Sequence, residues 1–218
     1  MKFKAVIFDM DGLLFDTEKV FNKAWQTLAD SRGLILDLRM LDQLRGTSGK
    51  QMLKIINNYW PEEDEKILME EVFKVAEVLL KEYVPIKPGA VELLNFLQKR
   101  SVPMAIATSS PRYLVERNLQ VTGFDKFFEA IVCREDIHNG KPDPEIFLKA
   151  AEKLKKNAQE CIVLEDAVHG VKAGLYAHCK TFMIPDLIQP DEEILNSDVL
   201  ILKDLNQVID VLIKNDWI

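Results

Sequence analysis

The stretch "FDMDGLLFDTE", Phe8–Glu18, follows directly on a short apolar run, Ala5–Phe8, and sets Asp9, Asp11 and Gly12 at its end. Four successive apolar residues without alternation mark a strand buried on both faces, as in a parallel sheet. A carboxylate at the end of such a strand is costly unless it is paired or holds a metal. Two of them one residue apart imply that the rest of the chain supplies their counter-charge.

Working outward, apolar runs of strand length recur at Met104–Ala107, Ala130–Cys133, Cys161–Leu164, Thr181–Ile184 and Val199–Leu202, and most are followed by a helical pattern. Strand and helix in alternation predict right-handed crossovers and an α/β fold, a Rossmann-like doubly wound parallel sheet. One segment breaks the rhythm. Between Thr17 and Tyr83 the spacing is helical throughout, with helices expected at Thr17–Ala29, around Leu36–Leu44, at Gly49–Asn58 and behind the acidic turn Glu62–Glu65. In the last of these Leu68, Val72, Val75, Leu79 and Tyr83 form the expected apolar stripe. The organisation that follows is a core of residues 1–16 and 84–218 carrying an inserted four-helix cap, 17–83. Val84–Gly89 is the expected return linker, with Pro88 suited to begin the next helix.

The 218 residues are 48% hydrophobic and 29% charged, and the net charge is -7. Without a basic stripe or run, nucleic acid and anionic membrane are disfavoured as partners. No apolar stretch reaches the roughly 18 residues of a membrane span, and no signal-peptide pattern precedes the first strand. Cys133, Cys161 and Cys179 show no CxxC spacing, and two of them fall in apolar runs where reduced, buried thiols are expected. The expectation is a cytoplasmic monomer.

Ligands of parallel α/β sheets bind beyond the carboxyl ends of the strands. The first strand delivers Asp9 and Asp11 there. The second runs into "TSSPR", where Thr108 and Ser109 precede a helix expected to start with Ser110 as N-cap, and helix-start N–H groups favour anions. After the third strand, "NGKPDPE" places Lys141 before a helix expected to be capped by Asp143. The fourth strand, "CIVLED", ends in Glu165 and Asp166. Three or four carboxylates in one pocket repel unless a divalent cation lies among them, and oxygen ligands favour Mg²⁺. Thr108, helix N–H groups and Lys141 suit a phosphoryl group, so the set matches phosphoryl transfer.

"FDMDGLLFDTE", "ATSS", "HNGKPDPEIF" and "VLEDAVHGVKAG" together resemble the four ordered motifs of the haloacid dehalogenase superfamily, and within it the phosphatase and phosphomutase group with a helical cap. The resemblance runs from Lys4 to about Asp186. It implies Asp9 as nucleophile, forming an aspartyl-phosphate, and Asp11 as general acid and then base. It implies Mg²⁺ held by the Asp9 carboxylate, the Asp11 backbone carbonyl and Asp166, with Glu165 nearby. Thr108, Ser109 and Lys141 would bind the phosphoryl group of a small phosphate ester. Dehalogenases of the superfamily lack the second acid, which is present here. Phosphonatases use a cap lysine that no motif here picks out. Phosphomutases carry a cap histidine and arginine where this chain has Phe21 and Gly49, although Lys50 is adjacent to the second place and Arg45 close to it. A phosphatase acting on a sugar phosphate or nucleoside monophosphate is therefore expected. The alternatives are a β-phosphoglucomutase-like mutase and a non-catalytic phosphate-binding regulator.

Within the cap, the polar loop "GTSGKQ" resembles a P-loop only weakly, since Gln51 stands where Ser or Thr is required and no strand precedes it. Arg45, Thr47 and Lys50 around that loop are the expected substrate contacts. Trp25 on the first cap helix is expected in the cap core, with a place in the substrate pocket as the alternative. Gly170 and Gly174, four residues apart on one helix, are expected to let it approach the sheet. His138, His169 and His178 share no ligand spacing, and His178 is expected within a helix.

Overall fold

The computed structural model describes residues 2–44 and 49–218. Their contacts divide into two compact units, one of Met1–Asp16 with Ile86–Ile218 and one of Thr17–Pro85. The larger unit carries a six-stranded, all-parallel sheet of β1 (Ala5–Phe8), β2 (Met104–Ala107), β3 (Ala130–Val132), β4 (Cys161–Glu165), β5 (Lys180–Met183) and β6 (Leu200–Ile201). Its order is β3-β2-β1-β4-β5-β6, so the chain reverses direction across the sheet beside β1. Phe8 lies opposite both Ile106 and Leu164, so three strands end level with one another.

The four helices of the smaller unit are α1 (Thr17–Arg32), α2 (Leu38–Leu44), α3 (Gly49–Tyr59) and α4 (Glu65–Glu82). α1 packs on α4, and the buried residues include Val20, Ala24 and Leu28 of α1 and Leu68, Val72, Ala76 and Leu80 of α4. The buried stripe of α4 therefore runs through Ala76 and Leu80, where the sequence suggested Val75 and Leu79, and Tyr83 is exposed. Asp64 caps α4 by accepting from the Lys66 and Ile67 amides. Arg32 closes the far end of α1 with hydrogen bonds to Glu63 and Glu71.

In the larger unit α5 (Ala90–Lys99), α6 (Arg112–Thr122), α7 (Glu145–Lys153), α8 (Val168–Tyr176), α9 (Glu192–Leu195) and α10 (Leu205–Lys214) complete the fold. α7 packs against β1, β2 and β3, and α8 against β4 and β5, closing an apolar cluster that includes Ile7, Val132, Phe147 and Val163. α5 packs on α10. Gly174 makes the close approach of α8 possible: a Cβ there would lie 2.6 Å from Thr181 Oγ1 and 3.2 Å from Val163 Cγ1.

Several element ends differ from expectation by a residue or two. Cys133 falls just beyond β3, though all three cysteines are buried and free. α5 begins at Ala90 after Gly89, whose φ of 84° requires glycine, so Pro88 lies outside the helix. His178 is exposed beyond the end of α8, with φ 60°, and is not helical. Among the described residues no helix is long and apolar enough to cross a membrane.

Candidate active site

At the carboxyl ends of β1, β2 and β4 a cavity of about 300 Å³ is lined by Asp9, Asp11, Thr108, Ser109, Ser110, Lys141, Glu165, Asp166, Ala167, His169 and Gly170. The structure thus brings together every core-unit residue that the strand ends suggested. The parallel register is what does it, since Asp9, Ala107 and Glu165 each follow one of the level positions Phe8, Ile106 and Leu164. The Asp9 amide donates to the Leu164 carbonyl at 3.0 Å, holding the first residue past β1 against β4.

Lys141 is the hub. Its ammonium donates to Asp9 Oδ1 (2.5 Å), Glu165 Oε1 (2.6 Å) and the Ala107 carbonyl (3.1 Å), one acceptor from each of the three strand ends. Its side chain is 9% exposed, with the charge 5.2 Å from the Phe147 ring centroid. Burial alone would lower its pKa, but the charges of Asp9 and Glu165 outweigh that and hold Lys141 above its ordinary value. Burial pushes the Asp9 carboxyl up, Lys141 pulls it down and Glu165 adds to the rise, leaving Asp9 at about 6. Burial, followed by the charges of Glu165 and Asp9, raises Asp166 well above the ordinary carboxylate range. Four carboxylates and one ammonium line this cavity, and the raised values of two of them are the signature of that imbalance.

Two side chains have tasks that the sequence did not disclose. Ser110, expected as an N-cap, does not cap α6, whose N-cap is Pro111. Its hydroxyl instead donates to Asp11 Oδ2 at 2.6 Å, and its amide donates to Thr108 Oγ1 at 3.1 Å, so it ties the second acid to the end of β2. Glu165, expected beside a metal, has both oxygens engaged by protein donors: Oε1 by Lys141, and Oε2 by the amides of Asp166 and Ala167 at 3.1 and 3.2 Å. That geometry makes it a clamp for Lys141. The sole local signal for Ser110 was the pair of adjacent serines in "TSS"; for Glu165 it was burial at a strand end.

Asp143 accepts from the Glu145 amide at 2.9 Å, one residue ahead of the N-cap of α7, Pro144. Glu145 in turn accepts from the amides of His138 and Asn139, fastening the loop that carries Lys141. His169 is exposed on the first turn of α8 and lines the cavity; His138 is exposed and does not. Of the residues proposed from the helical insertion, Arg45 and Thr47 lie outside the described residues. Lys50 is exposed on the first turn of α3 and lines neither this cavity nor the one in the helical unit.

The residues present fit a hard divalent cation. Asp166 is seated against the backbone at Gly12, where a Cβ would stand 2.2 Å from its Oδ2, and Gly12 has φ 86°. The glycine therefore opens a cradle for that carboxylate beside Asp9 and Asp11. Among the described residues no three His, Cys, Asp or Glu side chains converge on one point. Two carboxylates with a backbone carbonyl, water completing the shell, is the partial protein coordination that Mg²⁺ takes.

A parallel doubly wound sheet whose strand ends carry paired aspartates, hydroxyls, a buried lysine and a second acidic pair defines a phosphoryl-handling α/β protein. Residues 6–184 match the family model for haloacid dehalogenase-like hydrolases. The chain is 34% identical over 176 residues, 78% of its length and 80% of the relative's, to a phosphorylated carbohydrates phosphatase of Thermotoga maritima. It is 30% identical over 210 residues to hexitol phosphatase A of Escherichia coli, covering 95% of this chain and 94% of that one. The crystal structure of a putative β-phosphoglucomutase from Thermotoga maritima superposes with a TM-score of 0.84 at 26% identity, over 98% of this chain and 99% of that one. The chain belongs to the haloacid dehalogenase-like hydrolase family.

Proposed function

We propose that the protein is a Mg²⁺-dependent phosphatase of small phosphomonoesters that works through an aspartyl-phosphate. The observation that carries this is the Lys141 bridge. It fixes Asp9 Oδ1 within a wall of phosphate donors, Thr108, Ser109 and Lys141, while a second carboxyl, Asp11, is held separately by Ser110. One carboxylate as nucleophile and another as acid and base is the equipment of covalent phosphoryl transfer.

Attack falls to Asp9 Oδ2, since Oδ1 is taken by Lys141. Its lone pair forms the bond to phosphorus as the ester P–O bond breaks, and Asp11, protonated, gives its proton to the leaving oxygen. Water then attacks phosphorus, Asp11 takes the water's proton, and the bond to Asp9 breaks to release inorganic phosphate. The Asp9 and Asp166 carboxylates and the Asp11 carbonyl would hold Mg²⁺. When bound, the ion offsets the carboxylate charge and polarises the phosphoryl oxygens. Glu165 stays outside that set and keeps Lys141 in place. The helical unit, residues 17–83, is proposed as the cap that decides which organic group is accepted, and the curated relatives' names favour phosphorylated carbohydrates among the candidates. The protein would act as a cytoplasmic enzyme.

The second reading, a sugar phosphomutase, is favoured by the likeness to the putative β-phosphoglucomutase structure. Phe21 stands against it, because its ring cannot exchange protons where such mutases use a histidine. Acid quench of the enzyme mixed with acetyl phosphate should leave a phosphoryl group on Asp9, detectable by peptide mass spectrometry and more abundant in Asp11→Asn. Steady turnover with Asp9 unmodified in both proteins would remove the covalent intermediate.

A further inference from the structure

The loop that carries Lys141 into the strand-end cavity reads "NGKPDPE" and opens on Asn139 and Gly140. Asn139 is the one asparagine of the chain that is followed by glycine. An asparagine side-chain amide is open to attack by the backbone nitrogen of the next residue, and a glycine there sets no side chain in the way. Both reacting groups are accessible. Asn139 and Gly140 are exposed, and a Cβ added at Gly140 would meet nothing within 4 Å. Among the described residues neither the Asn139 side chain nor the Gly140 amide has a hydrogen-bond partner. Asp11–Gly12, the one Asp-Gly pair of the chain, is the internal contrast. There the glycine amide donates to the Phe15 carbonyl at 2.9 Å and Asp11 Oδ2 accepts from Ser110 at 2.6 Å, so both groups are held.

We propose that Asn139 is a site of spontaneous isoaspartate formation, and that this modification disables the strand-end site by displacing Lys141. Solvent hydroxide takes the Gly140 amide proton, and the nitrogen forms a bond to Asn139 Cγ. The Cγ–Nδ2 bond breaks, and the leaving nitrogen takes a proton from water and departs as ammonia. Water then opens the five-membered imide. Cleavage between the imide nitrogen and Cγ gives aspartate. Cleavage between that nitrogen and the Asn139 carbonyl carbon gives isoaspartate, with the main chain rerouted through Cγ and longer by one carbon. The chain ahead of the insertion is fixed, because the His138 and Asn139 amides donate to Glu145 Oε2 at 2.9 and 2.8 Å. The added length is therefore taken up toward Lys141, two residues on, whose ammonium must meet three acceptors at 2.5–3.1 Å. The new carboxylate also repels that of Glu145, which fastens the loop.

The modification stands apart from the phosphatase reading, whereas its effect on turnover rests on it. The full chain, incubated in warm, mildly alkaline buffer, is followed by peptide mass spectrometry. Isoaspartate is counted by methyl transfer from radiolabelled S-adenosylmethionine with an isoaspartyl methyltransferase. Asn139 should convert ahead of every other asparagine, with the Asp11–Gly12 peptide unlabelled. Acetyl phosphate hydrolysis should fall in step with the isoaspartate fraction, modified molecules losing about 10²-fold, the scale of a misplacement of about 1 Å. Gly140→Ala should convert severalfold more slowly and hold its activity through the incubation. Earlier conversion of another asparagine, or equal rates in Gly140→Ala and the parent, overturns the site. Full conversion with turnover unchanged overturns the displacement of Lys141. Should the fresh protein release no phosphate from acetyl phosphate, the phosphatase reading fails, and the mass and methyl-transfer measurements alone decide the modification.

Discussion

Replacing Lys141 by methionine tests the centre of the proposed mechanism. The ammonium is wedged between Asp9 and Glu165, whose side chains are 10% and 1% exposed, and methionine keeps the volume while removing the charge. Removing one partner of a buried pair costs about 3–5 kcal/mol, because the charge left behind is uncompensated. For a chain of this size that is a fall in Tm of about 6–20 °C. The sign of its pH dependence follows from Asp9. In the absence of metal its folded-state value of about 6 lies above the ordinary carboxylate value, so the folded protein binds its proton more tightly than the unfolded chain. The resulting penalty is absent at pH below the unfolded value and complete above about 6. Without Lys141 the folded value climbs further, each added unit being worth about 1.4 kcal/mol, so the deficit of the variant should open above about pH 6 and shrink toward pH 5. Thermal melts of both proteins in chelator between pH 5 and 8 measure it. Adding Glu165→Gln should recover part of the loss at high pH, as coupling between contacting residues requires. A deficit that is the same at both ends of the range, or absent, would refute the placement of Lys141 as counter-charge.

Three further outcomes follow from the same geometry. Gly170→Ala would put a Cβ 1.8 Å from Glu165 Oε1, so it should cost about 1–3 kcal/mol by overpacking and lower kcat as Lys141 is displaced; unchanged melting and turnover would show that the clamp tolerates movement. Asp11→Asn should slow turnover by about 10²–10⁴-fold with Mg²⁺ affinity largely kept, measured by steady-state kinetics and metal titration. Chelation should silence hydrolysis, Mg²⁺ restore it and Ca²⁺ inhibit, because a looser coordination shell does not align Asp9; full activity in excess chelator would sink the metal assignment.

The sheet was legible because strands buried on both faces print as unbroken apolar runs: Ala5–Phe8, Met104–Ala107 and the first four residues of β4 could be read to the residue. Errors gathered where a local rule competes with context. Proline is a good first helical residue, yet the chain enters α5 through Gly89, where the φ of 84° permits a turn that proline cannot make. On α4 a stripe read at spacings of three and four admits either Val75 or Ala76, and packing against α1 selects the alanine. Nothing in the local sequence encodes that choice.

The site shows the same division more sharply. Asp9, Asp11, Thr108, Lys141 and Asp166 could be picked out because each ends a strand run or opens a helix. What they contact could not, because contact depends on how the strands are levelled. Phe8 opposite Ile106 and Leu164 sets Asp9, Ala107 and Glu165 at one height, and those are the three acceptors of Lys141. Ser109 and Ser110 are locally alike, and only the position of Asp11 on the neighbouring strand end gives Ser110 its partner. A slip of one residue between β1 and β4 would turn Asp9 to the opposite face and leave Lys141 with the Ala107 carbonyl and one carboxylate. Long-range register, rather than any motif, is therefore what converts four short signatures into one charged pocket.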